Sequence, residues 1–183
     1  MIFKEDSELS SFLFVFRRII EKGSDSMSLK EWIQESNNIV FFGGAGVAKG
    51  AIAHGVLAAD RMKKPFVYVR PKPKDHGTGS QIEGELAPGK KVVVIEDLIS
   101  TGMSSLAAVK ALRDAGADVL GMVAIFTYGF DLAAQRFAEE NVKLDTLSCY
   151  SALVEVAGET GYISASAAES LHEWRANPSE WGK

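Results

Sequence analysis

Residues 92–105 read VVVIEDLISTGMSS: apolar and β-branched residues, then Glu96 and Asp97, then small hydroxyl residues around Gly102. An apolar run this continuous reads as a strand buried on both faces of a sheet. Carboxylates closing such a strand are costly unless a ligand or ion uses their charge. The segment that follows, SSLAAVKALRDAG (104–116), has helical spacing and ends on Gly116, a good helix stop. Residues 100–104 are therefore a strand-to-helix junction, and in parallel sheets ligands bind outside the carboxyl ends of the strands. Ser100, Thr101, Gly102, Met103 and Ser104 offer backbone N–H groups, hydroxyls and the positive end of a helix, the parts of a phosphate cradle. Glu96 and Asp97 repel a bare phosphate but suit a ligand that also carries hydroxyls or a metal ion, such as a sugar phosphate.

Outward from this junction the chain alternates short β-rich runs with longer helical ones. NIVFF (38–42), PFVYVR (65–70), KVVVIE (91–96), DVLGMVAIF (118–126) and VKLDTLSC (142–149) read as strands. KGAIAHGVLAADRM (49–62) and DLAAQRFAEE (131–140) read as helices, and SALVEVAGETG and SAAESLHEWR as terminal helices. The pattern predicts an α/β fold, a parallel five-stranded sheet with helices on both faces. At 183 residues the chain suits one packed domain. The expected organisation is a short helical N-terminal segment over 1–37, where Ser28 and Glu31 have capping-box spacing, and a core domain over 38–183.

An apolar fraction of 46% and a charged fraction of 24% are ordinary for a globular chain. A net charge of −4 gives no basic face for nucleic acid, so any phosphate binding must be local. Cys149 is the single cysteine, which excludes an internal disulfide and a cysteine zinc site and fits a reducing cytoplasm. It ends an apolar strand and reads as a buried structural thiol. The early run FLFVF (12–16) is broken by Arg17 and Arg18, far short of the roughly 20 residues that cross a bilayer. No secretory h-region follows the start, so the expected setting is cytoplasmic, with no membrane partner. His54 and His172 lack partners at metal-ligand spacing, and Trp32, Trp174 and Trp181 read as packing residues.

Two other stretches carry chemistry. RPKPKDHGTGSQIEG (70–84) gathers Arg70, Lys72, Lys74 and His76 between glycines, within about twenty residues that lack apolar periodicity. It reads as a mobile basic loop that closes over a polyanion, or as a solvated basic hairpin. FFGGAGVAKGAIAHG (41–55) is a glycine-rich strand-to-helix turn. Alone it is compatible with a variant dinucleotide fingerprint, with Arg70 facing a 2′-phosphate. It is not a P-loop, because Ala48 precedes Lys49.

Four apolar residues, two acids, two apolar residues and Ser-Thr-Gly-x-Ser resemble the phosphoribosyl-pyrophosphate motif of type I phosphoribosyltransferases. The Arg-x-x-x-Lys-x-His-Gly spacing from Arg70 to Gly77 resembles the catalytic loop of the orotate phosphoribosyltransferases. VLGMVAIFTYGF and LSCYSALVEVAGETGYI are similar to the C-terminal half of their Gram-positive type. The resemblance implies the type I fold with a flexible catalytic loop, and transfer of a phosphoribosyl group to orotate in pyrimidine nucleotide biosynthesis. It implies that Glu96 and Asp97 hold the ribose hydroxyls and that Ser100 to Ser104 wrap the 5′-phosphate. Lys74 would be the principal catalytic lysine, with Asp75 and His76 beside it. Lys49, Gly50, Arg70, Lys74 and His76 would meet the pyrophosphate, and Ser100 and Tyr128 the base. Mg²⁺ would be held mainly by pyrophosphate, and a homodimer would share the loop between subunits.

The resemblance covers about residues 38–165. Residues 1–37 hold no counterpart of the Phe-x-x-x-Ser-Gly-x-x-Ser-x-x-Tyr-x-Asp stretch that covers the base in the family. Transfer to another base, and a phosphoribosyl-pyrophosphate-binding regulator without catalysis, therefore stand as alternatives. The set Arg70, Lys74, Asp75, His76 and Gly77 argues for the enzyme, and a dinucleotide oxidoreductase leaves Glu96 to Ser104 unexplained.

Overall fold

The computed structural model describes residues 38–42, 50–71 and 81–181. The expected helical segment 1–37, residues 43–49 of the glycine-rich turn and residues 72–80 of the basic loop lie outside them. In chain order the elements are β1 (Asn38–Phe42), α1 (Gly50–Met62), β2 (Phe66–Val69), β3 (Ile82–Glu83), β4 (Lys91–Ile99), α2 (Met103–Asp114), β5 (Asp118–Thr127), α3 (Asp131–Glu139), β6 (Leu144–Cys149), α4 (Tyr150–Glu159) and α5 (Ala165–Ala176).

The five expected strands are present and pair in parallel. They stand in a six-stranded sheet of order β3-β2-β1-β4-β5-β6. The sixth strand corrects the sequence reading. β3 pairs antiparallel with β2 through Tyr68–Glu83 and Val69–Ile82, inside a stretch read as loop. Two residues are too few to show a period. β4 also runs past its expected end, because its pairing with β5 continues through Glu96–Ala124, Leu98–Phe126 and Ile99–Thr127. Backbone pairing does not depend on side-chain polarity, so both acids sit within the strand.

The apolar run of β4 is explained by what lies on its two faces. Val92 and Val94 pack with Val109 and Leu112 of α2 and Phe137 of α3. Val93 and Ile95 pack on the opposite side against Ala51 and Ala59 of α1. Each such side chain contributes roughly 1.5–3 kcal/mol of burial, which anchors β4 between the two helical layers. The chain runs from β1 outward to β2, then returns to place β4 on the other side of β1. That reversal is the switch point at which α/β sheets open a crevice, and β4 enters it with Glu96 and Asp97.

At the far edge β6 pairs, among the described residues, only with β5, and the Asp145 carboxylate accepts the Thr146 N–H at 3.0 Å. α5 has no buried residue; its first turn is capped by Ser164, whose hydroxyl accepts the Ala167 N–H at 3.2 Å. Among the described residues no helix is long and apolar enough to cross a membrane.

Candidate active site

The two acids of the junction stand in different surroundings. Successive side chains of a strand alternate in direction, and Glu96 falls on the α2 side. It is 3% exposed. The Ser105 hydroxyl donates to one carboxyl oxygen at 3.0 Å, and the Asp97 backbone N–H donates to the other at 3.1 Å. Burial, and after it the neighbouring Asp97 carboxyl, pushes the Glu96 pKa from 4.5 up to about 8. Asp97 is half-buried and is the more open of the two.

The loop after β4 is shaped by Gly102, whose φ is +76°, a backbone region that side chains disfavour. A Cβ there would also meet the Phe137 ring at 2.7 Å. Gly102 caps α2 with no side-chain hydrogen bond, and no acid occupies the first turn. The leading N–H groups of α2 and the positive end of its dipole are thus left for an anion. Ser100, Met103 and Ser104 are exposed and Thr101 is half-buried. From α3, the Arg136 guanidinium donates to the Thr101 carbonyl at 3.0 Å, bracing the loop from below. Sequence reasoning missed both supports. Ser105 lies one residue beyond the recognised motif, and Arg136 lies 35 residues from its partner on a helix that looks like any amphipathic one.

Tyr128 stands at the end of β5 beside this loop, its backbone N–H donating to the Ile99 carbonyl at 3.0 Å. Its ring stacks on Phe130 at 5.5 Å and 15°. The Trp174 ring of α5 meets it edge-on at 5.5 Å and 67°. Arg175 of α5 donates from Nε to the Tyr128 carbonyl at 2.9 Å and from Nη2 to the Gly129 carbonyl. Gly129 has φ +67°, and a Cβ on it would lie 3.1 Å from that Nη2. Ser100 and Thr101 on one side, Tyr128 at the floor and α5 on the other side enclose a cleft of about 760 Å³. The two residues expected at a base, Ser100 and Tyr128, thus share one cavity. Trp174 does pack, as expected, but at the wall of that cavity. Trp181 is 52% exposed.

Cys149 departs from its expected burial. It ends an edge strand and is half-buried, its Sγ 3.2 Å from the Ser151 hydroxyl. That hydroxyl, then the Ala152 N–H, draws the thiol below its ordinary pKa. Among the described residues no group of three or more His, Cys, Asp or Glu could hold a metal.

Arg70 stands at the end of β2, two strands from β4 in the sheet. Its guanidinium pairs with Glu83 of β3 at 3.3 Å. Its backbone accepts from the Gln81 side chain at 2.7 Å and donates to the Gln81 carbonyl at 2.7 Å. Arg70 therefore sits at the stem of the basic loop. Gly50 opens α1. Lys49, Lys74, Asp75 and His76 lie outside the described residues.

The chain matches the family model "Phosphoribosyl transferase domain" over residues 19–157, which begins ahead of the stretch recognised by eye. It is 59% identical over 138 residues to the orotate phosphoribosyltransferase of Porphyromonas gingivalis, covering 75% of this chain and 66% of that one. The chain spans 65% to 66% of the length of such curated relatives. Among solved structures, the orotate phosphoribosyltransferase of Aeropyrum pernix superposes with a TM-score of 0.66 at 26% identity, over 86% of this chain and 80% of that one. A phosphoribosyltransferase from Corynebacterium diphtheriae does so with a TM-score of 0.52 at 32% identity, over 73% and 74%. A switch-point sheet, a glycine-shaped loop behind two acids and these matches agree: the chain belongs to the phosphoribosyltransferase family.

Proposed function

We propose that the chain transfers the 5-phosphoribosyl group of phosphoribosyl pyrophosphate to orotate, giving orotidine 5′-monophosphate and pyrophosphate. The observation that carries this reading is the β4–α2 junction, where two carboxylates precede a glycine that admits no side chain and a helix start free of acids. The name borne by the relative at 59% identity supports orotate as the acceptor.

In this reading Ser100 to Ser104 wrap the 5′-phosphate, whose charge the exposed N–H groups and helix dipole offset. The ribose hydroxyls go to Asp97 and Glu96. Asp97 is the open partner, because Glu96 must give up Ser105 to reach a ligand. Orotate enters between Ser100 and Tyr128, with its ring nitrogen facing the anomeric carbon. The bond from that carbon to pyrophosphate breaks through an oxocarbenium-like state while the bond to nitrogen forms. Orotate carries its negative charge on the carboxylate, so its N1 proton leaves as the new bond forms and passes to the departing pyrophosphate or to water. Lys74, His76, Arg70 and Lys49 offset the charge of the departing pyrophosphate, with Gly50 in its turn and Asp75 steadying the loop. Mg²⁺, when bound, neutralises further charge on the pyrophosphate that holds it. Asp97, a hard oxygen donor beside the phosphate loop, suits its outer sphere. The reading carries with it a homodimer that shares the basic loop and a cytoplasmic setting.

The test is loss of orotate absorbance with phosphoribosyl pyrophosphate, with and without Mg²⁺, on wild type and Lys74→Ala. The expected result is Mg²⁺-dependent turnover and a kcat lowered about 100-fold or more in the variant, the usual effect of losing one charge-stabilising donor. Turnover with a different base from a panel would replace orotate. Binding of phosphoribosyl pyrophosphate with no turnover of any base would make the chain a regulator.

A further inference from the structure

The cleft beside the phosphate loop has a wall for which the motifs give no role. Trp174 and Arg175 sit on α5, a helix that buries none of its own residues, yet both reach back across the sheet end to the loop after β5. Arg175 contacts that loop 47 residues away through the Tyr128 carbonyl and again through Gly129. Gly129 lacks the side chain that would crowd the guanidinium. Among the described residues the ion pairs leave Arg175 without a carboxylate partner. It is half-buried, held by two neutral carbonyls at the lining of a cavity. A guanidinium so placed keeps its full charge and has donors beyond the two it uses. Beside it the Tyr128 ring, flanked by Phe130 and Trp174, offers an aromatic surface at the same cavity. A cation next to aromatic faces recognises a flat ring that bears an acid group.

We infer that α5 completes the acceptor pocket, with Arg175 selecting a planar anionic ring and Tyr128 and Trp174 forming its aromatic wall. The inference rests on the transfer reading for which substrate enters the cleft, and it adds the residues that discriminate among acceptors. Arg175 is a specificity residue: its charge favours a carboxylated ring over the same ring without the acid.

The test is direct binding of orotate and of uracil by calorimetry, with pyrophosphate and Mg²⁺ present, to wild type, Arg175→Ala, Arg175→Gln and Arg175→Lys. It is joined to KM for orotate and for phosphoribosyl pyrophosphate wherever turnover is seen. Wild type is expected to prefer orotate to uracil. Arg175→Ala and Arg175→Gln should weaken orotate by about tenfold or more, the effect of one lost charge-assisted hydrogen bond, and should leave uracil and the KM for phosphoribosyl pyrophosphate within about twofold. Arg175→Lys should keep most of the preference. Gln retains a donor for the carbonyls without the charge, so it reports on charge even if Ala fails to fold. Equal weakening of both rings, or of both substrates, would mean a purely structural arginine and overturn the inference. So would unchanged orotate binding, or no orotate binding to wild type. Arg175-dependent orotate binding without turnover would instead keep the pocket and remove the transfer reading.

Discussion

The two sides of the cleft are built on opposite principles. On the β4–α2 side, every support is buried or braced. Glu96 is held by Ser105 and a backbone N–H, Gly102 is pressed on Phe137, and Thr101 is tied to Arg136. On the α5 side the helix buries none of its own residues, and it is fastened by one arginine, a few ring contacts and the Tyr150 hydroxyl on the Leu171 carbonyl at 3.2 Å. In the proposed reading the β4–α2 side is a seat, welded into the core, for the phosphate common to every phosphoribosyl donor. The α5 side would meet the acceptor, and it hangs on contacts that can change without touching the core.

That contrast can be broken most severely at Gly102. Gly102→Val forces a branched side chain into a left-handed backbone region and onto the Phe137 ring. Unfolding in urea should show a loss of about 2–5 kcal/mol, strain and overpacking together, and phosphoribosyl pyrophosphate binding should fail. A urea midpoint equal to wild type would refute the welded seat.

Next in size is the Glu96–Ser105 contact. Glu96→Ala leaves the Ser105 hydroxyl, 1% exposed, without its partner, at a cost of about 1–3 kcal/mol. Glu96→Gln, which keeps an acceptor, should cost clearly less. Equal losses in chemical denaturation would mean that the charge or shape of Glu96 matters and the hydrogen bond does not.

The same residue predicts a pH signature. Its folded pKa, about 8, lies above the ordinary value of 4.5, so between these values the folded chain holds a proton that the unfolded chain has released. Stability from this group is full below about 4.5, falls as pH rises across the window and levels off above about 8. The slope is at most about 1.4 kcal/mol per pH unit. Denaturation series from pH 5 to 9 should therefore be flatter for Glu96→Gln than for wild type, and parallel curves would remove Glu96 as the source.

The smallest effect belongs to the other side. Trp174→Leu loses ring contacts worth about 0.5–1.5 kcal/mol in a well-packed pair. Because Trp174 is half-buried, global stability should move by less than about 1 kcal/mol. Hydrogen exchange of the α5 amides should rise while that of β4 does not. Equal acceleration in both would show that the two sides unfold as one.

What the sequence made legible follows the same division. The five parallel strands and their helices announced themselves because burial on two faces leaves an unbroken apolar run, as at Val92 to Ile95. The loop over residues 100–104 was legible as a strand-to-helix junction because its parts are consecutive in the chain. β3 was invisible, since two residues cannot carry a period, and the extension of β4 to Ile99 was hidden by the polarity of Glu96 and Asp97. Glu96 and Asp97 looked equivalent in one dimension. Only the alternation of the strand, with Ser105 waiting nine residues on, separates a buried acid from an open one. Trp174 signalled packing but not its place at the cleft, and Arg175 gave no signal, because an arginine after a tryptophan on an exposed helix is what a solvated surface also looks like.

One feature at the sheet's rim bears on the life of the protein in a crowded solution. Among the described residues β6 is the outer strand on its side of the sheet, the kind of edge onto which a strand of another molecule can add. Its own sequence answers the hazard. Asp145 lies within it, and its carboxylate occupies the Thr146 N–H, a group a foreign strand would otherwise seek. A charge in that position makes intermolecular sheet extension unfavourable, so the rim of the fold carries its own safeguard against misassembly, quite apart from the cleft between Ser100 and Tyr128.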